Sequence, residues 1–260
     1  MSDYRKLSNQ PLQLALTEVR FSPVMEIAKY IPLVQDKIRA KYPIFGPPST
    51  ERSVHIEGQK IELRESHRWS FVSKNRKSAI SLGEGGVVYF TTEYPRFTQF
   101  SEIVEEVLLV IQDVISPSLV SRIGIRFCDL VKPVGGEQLE QLVSEDVLYP
   151  KAVLKHGEIA QHKTETITIG EAGTLIFRTL SGNNNGVLPP DLGNIPVTIV
   201  GDEETSVRAI LDFDNFWQDE QNQMDFDTNT IVGKLQALHD SAREAFWAIT
   251  TDYARNVKWN

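Results

Sequence analysis

The chain has 260 residues, 41% hydrophobic and 24% charged, the proportions of an ordinary soluble globular protein with room for one large core or two small ones. A formal net charge of −8 argues against a general nucleic-acid or anionic-membrane binder, because neutralising phosphates requires clustered Lys and Arg. The single cysteine, Cys128, excludes an internal disulfide and a cysteine-rich zinc site, no apolar run approaches the roughly 20 residues of a membrane span, and MSDYRKLSNQ lacks the apolar centre of a signal peptide, so a cytoplasmic location is expected.

In chain order, LALTEVRF (Leu14 to Phe21) reads as a strand with Leu14, Leu16, Glu18 and Arg20 on one face. Met25 to Tyr42 reads as a helix through Ile27, Ile31, Val34 and Ile38, with Pro32 either kinking it or opening its main part. SVHIEG and QKIELRES predict a hairpin around Gly58 that feeds into Trp69. The stretch from Trp69 to Phe127 is the clearest in the chain. Alternation through Trp69, Phe71 and Ser73, then Ala79 to Leu82, a turn at Gly83 to Gly86 and a run from Val87 predict an antiparallel meander. Thr98 is the expected N-cap of a long helix whose stripe runs through Phe100, Val104, Val107, Leu108 and Ile111, and Ser116-Pro117 stops it. In RIGIRF (Arg122 to Phe127) the apolar residues face one way and Arg122, Gly124 and Arg126 the other.

The remaining sequence repeats that order more weakly. GGEQLEQLVSEDVL predicts a short helix, ETITIGEAGTLIFRTLSG two strands turning at Gly170 to Gly173, and SVRAILDFDNFW a further strand. Asp227 or Thr228 caps a last helix with Ile231, Leu235, Leu238, Ala242, Phe246, Ile249 and Tyr253 as its stripe. The expected fold is α+β with two similar halves from internal duplication, 1–118 and 119–260, each an antiparallel sheet under a long helix.

Several constellations invite a chemical reading. Glu18 and Arg20 share a face, as do Arg122 and Arg126, on strands expected to be neighbours; a cross-strand ion-pair ladder explains them structurally and an anion site functionally. The ladder is the simpler account, and it requires Arg122 or Arg126 to touch Glu18. Asp212 and Asp214 share a strand face and are the weak candidates for a hard metal ion, although their spacing fits no calcium loop. No catalytic residue and no cofactor is assigned. His156 and His162 fit no zinc spacing, His239 reads as a partly buried, hydrogen-bonded side chain, and Cys128 as a small buried hydrophobe. The loop Ser181 to Pro196, with Asn183, Asn184 and Asn185, is long enough to suggest a binding role, and Trp217 and Trp259 could form a contact patch.

The strand ending in E-V-R-F, the helix closing at Tyr42-Pro43, Trp69-x-Phe71, the Tyr94 and Phe100 pair, R-I-G-I-R-F and the LH…F…IT pattern from Leu238 to Thr250 resemble an uncharacterised, sporadically distributed prokaryotic family of about this length. The resemblance covers nearly the whole chain, supplies no catalytic residues, and implies a mobile-element, phage-defence or toxin–antitoxin setting. The expected function is accordingly non-catalytic: a regulatory component that binds another protein or itself through the loop at 181–196 and exposed sheet edges. The alternative is a small-molecule binder or hydrolase with a cavity between helix and sheet, favoured by a pocket carrying Arg122, Arg126 or Asp212 and a perturbed carboxylate. An RNA-binding role would need a basic stripe along Arg64, Arg68, Lys74, Arg76 and Lys77.

Overall fold

The computed structural model describes residues 4–46, 48–57 and 60–260, with side chains except at 51–57, 60–66 and 153. The turn expected around Gly58 and the side chain of Arg64 lie outside the described residues.

One antiparallel sheet of 11 strands runs through the described chain. Its strands are β1 (Leu12–Phe21), β2 (Ile44–Phe45), β3 (Ser49–Glu57), β4 (Lys60–Val72), β5 (Ser78–Gly83), β6 (Gly86–Thr91), β7 (Leu119–Val131), β8 (His162–Ile169), β9 (Thr174–Asn184), β10 (Ser206–Gln218) and β11 (Met224–Asp225). The main order is β2-β4-β5-β6-β1-β7-β10-β9-β8, with β3 beside β4 and β11 beside β7. β1 and β7 therefore meet at the centre, and each is flanked by the last strand of a meander. Helices α1 (Ile31–Ile38), α2 (Phe97–Val114) and α3 (Thr228–Ile249) complete an α+β fold, and no helix among the described residues is long and apolar enough to cross a membrane.

Alternation decides which face each residue occupies. Ala15, Val19 and Phe21 of β1 and Ile123 and Ile125 of β7 point into the main core, where the stripes of α2 (Phe100, Val104, Leu108, Ile111) and α3 (Ile231, Leu235, Leu238) cover them. A neighbouring core gathers Phe177, Leu211, Phe213, Ala242 and Trp259. The other sheet face carries Leu14, Glu18, Arg20, Arg122, Arg126 and Cys128, and residues 188–199 fold across part of it, burying Leu192 and Val197 against Leu14, Val88 and Cys128.

Five local expectations need correction. The first helix is confined to Ile31–Ile38, with Pro32 in its opening turn and a separate 3-10 turn at Ile27–Lys29 before it. Proline fits a first turn because its missing N–H has no intrahelical partner there. No α-helix forms in GGEQLEQLVSEDVL; Gly135 and Gly136 adopt positive φ, and short 3-10 turns at Leu139–Gln141 and Glu145–Val147 suffice to bury Leu139, Leu142 and Val143. The N-cap of α2 is Arg96, and no side chain caps it. α3 ends at Ile249, so Tyr253 falls beyond it and is exposed. Trp259 is buried against Phe246, their ring centroids 5.9 Å apart, and offers no contact surface.

Candidate functional site

The sheet brings the anticipated charged residues together. On the face away from the helices, the Glu18 carboxylate accepts from Arg122 Nε at 3.1 Å and forms an ion pair with Arg20, Nε 3.0 Å away, which is the ladder that the alternation requires. Arg122 also lies 3.7 Å above the ring of Phe216 and 3.7 Å from Asp214. Arg126 holds two carboxylates in forked pairs: Asp212 at 2.7 and 2.8 Å, and Asp191, from the covering segment, at 2.6 and 3.1 Å. Arg178 donates to Asp212 at 3.2 Å and to Glu165 at 2.6 Å. Asp212 is fully buried, so both of its oxygens are committed to guanidinium groups. Burial raises the Asp214 carboxyl, partly opposed by Arg122 and Arg126. Among the described residues no group of three or more His, Cys, Asp or Glu is arranged to hold a metal ion. A cleft of about 700 Å³ opens beside this network, lined by Arg20, Arg122, Arg126 and Asp214, yet almost every charge on its floor already has a partner. Buried charges are retained when paired, so the network reads as architecture.

The other anticipated residues are scattered. Asn183 and Asn184 belong to β9, paired with Val207 and Ser206 of β10, and Asn184 Oδ1 accepts from Gly186 N–H at 2.9 Å. Asn185 is exposed. Trp217 is half-buried on the helix face, with Lys234 Nζ 5.5 Å from its ring. Of the basic stripe, Lys77 pairs with Glu93 at 2.8 Å.

A different place holds several buried polar groups without hydrogen-bond partners. Between the opening segment of the chain, the start of α2, α3 and the central strands lies a cavity of about 430 Å³. Its walls are flat rings: Tyr4, Tyr94, Phe97, Phe127, Phe246 and Trp247. Phe97 and the His239 imidazole stack at 4.1 Å between centroids. Asp129, in β7, is only 5% exposed and makes no side-chain hydrogen bond or ion pair among the described residues. Burial, aided by nearby Asp212, pushes its carboxyl up to about 8, so it carries a proton at neutral pH. The Tyr94 hydroxyl and Arg243 Nε are also buried without hydrogen-bond partners. Burial, and then the Arg243 charge, push His239 down to about 4, so it is neutral at pH 7. The charge balance is also unusual. Among the described residues, Arg5, Lys6, Arg96 and Arg243 line the cavity with Asp129 as its one acidic lining residue, although Arg243 pairs with Asp240 at 3.0 Å just outside that lining, whereas the whole chain has 27 basic against 35 acidic residues.

No family model and no curated protein matches this chain. Function has to be read from the cavity itself. Sequence reasoning passed over Asp129, although a signal was present: it continues the Ile123, Ile125, Phe127 alternation and so puts a carboxyl on an apolar face.

Proposed function

We propose that the protein binds a small organic molecule in the cavity between α2, α3 and the central strands. The observation that carries this reading is Asp129. A buried carboxyl without a partner is costly in a structural core, and cavities with a few convergent polar groups among apolar walls are the usual form of ligand sites. A volume of about 430 Å³ suits a molecule of drug or cofactor size. The test is native mass spectrometry of the purified protein, followed by a thermal-shift ligand screen against wild type and Thr98→Trp, an exposed position at the cavity wall. A retained compound, or a shift that Thr98→Trp abolishes, is expected. If nothing is retained and no compound separates the two proteins, the reading is wrong.

A protein partner, such as a defence or toxin–antitoxin setting would supply, remains a second reading because of β8. This edge strand exposes Ile169 by 86% and Ile167 by 57%, a surface on which another strand could add. Ile167→Lys with Ile169→Lys should abolish any partner or self-association seen by analytical ultracentrifugation, and an unchanged sedimentation profile of an associating wild type would exclude β8.

The topology also supports reading the chain as two similar halves. Outward from β1 the strands run β6, β5, β4, and outward from β7 they run β10, β9, β8, each meander followed by a long helix. The antiparallel pair Glu18 and Gly124 sits where a local two-fold would lie if Arg20 corresponds to Arg126. An experimental structure whose halves superpose in any other register would remove this inference.

A further inference from the structure

The cavity wall carries two chemically different features, and together they specify a class of ligand. One is the start of α2. Its 18 residues align their peptide dipoles toward Arg96 and Phe97, no side chain caps the first turn, and no acidic residue lies in it. Arg96 is its N-cap residue and Lys6 lines the same cavity, both exposed, with no ion pair to another described residue. Free amides at a helix start with two unpaired cations form a seat for a doubly charged oxyanion; a single carboxylate would leave much of that field unanswered. The other is Asp129, more than nine-tenths buried and without a partner among the described residues. In its protonated form a carboxyl offers one donor beside one acceptor, matching the adjacent donor and acceptor on the edge of a nitrogen heterocycle. Tyr94, Phe127 and Trp247 line the same cavity, an aromatic wall suited to a planar ring.

We propose that the cavity takes a planar heteroaromatic ring carrying a phosphate monoester, a nucleotide-like ligand, with the phosphate at the first turn of α2 beside Arg96 and Lys6 and the ring edge against Asp129. This rests on the cavity being a ligand site at all. The experiment is isothermal titration of the full chain at low ionic strength with the four ribonucleoside monophosphates, the matching nucleosides and inorganic phosphate. At least one monophosphate should bind at least about tenfold more tightly than its nucleoside and than phosphate alone. Arg96→Glu, at an exposed position, should reduce monophosphate affinity by about tenfold or more and leave nucleoside affinity unchanged, whereas Asp129→Leu should weaken both. If no monophosphate outcompetes inorganic phosphate, or if Arg96→Glu weakens nucleoside and nucleotide equally, the ligand class is wrong. Should native mass spectrometry still show a different retained compound, whose loss follows Thr98→Trp, the cavity reading survives and only the class falls.

Discussion

Asp129 occupies a position that strand alternation assigns to an apolar side chain, and its proton makes that tolerable. Its carboxyl titrates near 8 when folded and near 3.8 as an ordinary aspartate. Between those values the unfolded chain holds fewer protons at this residue than the folded one, so its contribution to stability falls as pH rises, by at most about 1.4 kcal/mol per unit, and levels off above the folded value. Asp129→Asn removes that slope. Urea denaturation at pH 5, 6, 7 and 8 should show the variant gaining on wild type with each step, and a constant difference would mean that the carboxyl is already ionised at pH 5. Asp212 presents the opposite case, a buried carboxylate held by Arg126 and Arg178. Asp212→Ala leaves Arg126 short of a buried counter-charge and should cost about 3–5 kcal/mol in the same assay. A loss near zero would show that Asp191 alone neutralises the guanidinium.

Among the elements, those with a sustained period are the ones that sequence makes legible. The stripes of α2 and α3 and the alternation of β7 are all present, and Asp227 caps α3 by accepting from Thr230 N–H at 2.8 Å. The segment GGEQLEQLVSEDVL, where the expected helix is missing, has no such sustained period. Around Leu139, Leu142 and Val143, three apolar residues satisfy the core through 3-10 turns, and a helical pattern cannot be told from that by spacing alone. The cavity was less legible than the fold, because Asp129, Tyr94, Arg96 and His239 come from different elements and only the sheet and helices assemble them. One turn also has a sharp local requirement. Gly173, between β8 and β9, has φ of 157°, and a Cβ there would lie 2.3 Å from the Phe216 carbonyl oxygen of β10. Gly173→Ala should therefore lose at least about 3 kcal/mol by urea denaturation; a neutral effect would mean that the β9–β10 edge can shift freely.

For the whole molecule, stability should grade outward from the β1–β7 seam. β1 and β7 are paired on both sides and covered by two helices, whereas β8 has one neighbour and residues exposed on both faces. Native-state hydrogen exchange should find the slowest amides in β1 and β7 and much faster exchange in β8; equal protection would point to something covering that edge in solution. The segment 188–199 is a different kind of element. It has little regular structure, but Leu192 and Val197 anchor it to the open face and Asp191 ties it to Arg126. Directly beneath lies the chain's lone thiol, Cys128, fully buried and held well above its ordinary pKa by burial and then by Asp212. While the segment is down, that sulfur is shielded from reagents and protonated, so its modification has to wait for an opening. The reactivity of Cys128 is therefore a probe of whether that segment opens. Asp191→Ala should quicken its reaction with a disulfide reagent several-fold without an equal loss of global stability, and if the two changed in step, the thiol would be timing complete unfolding instead.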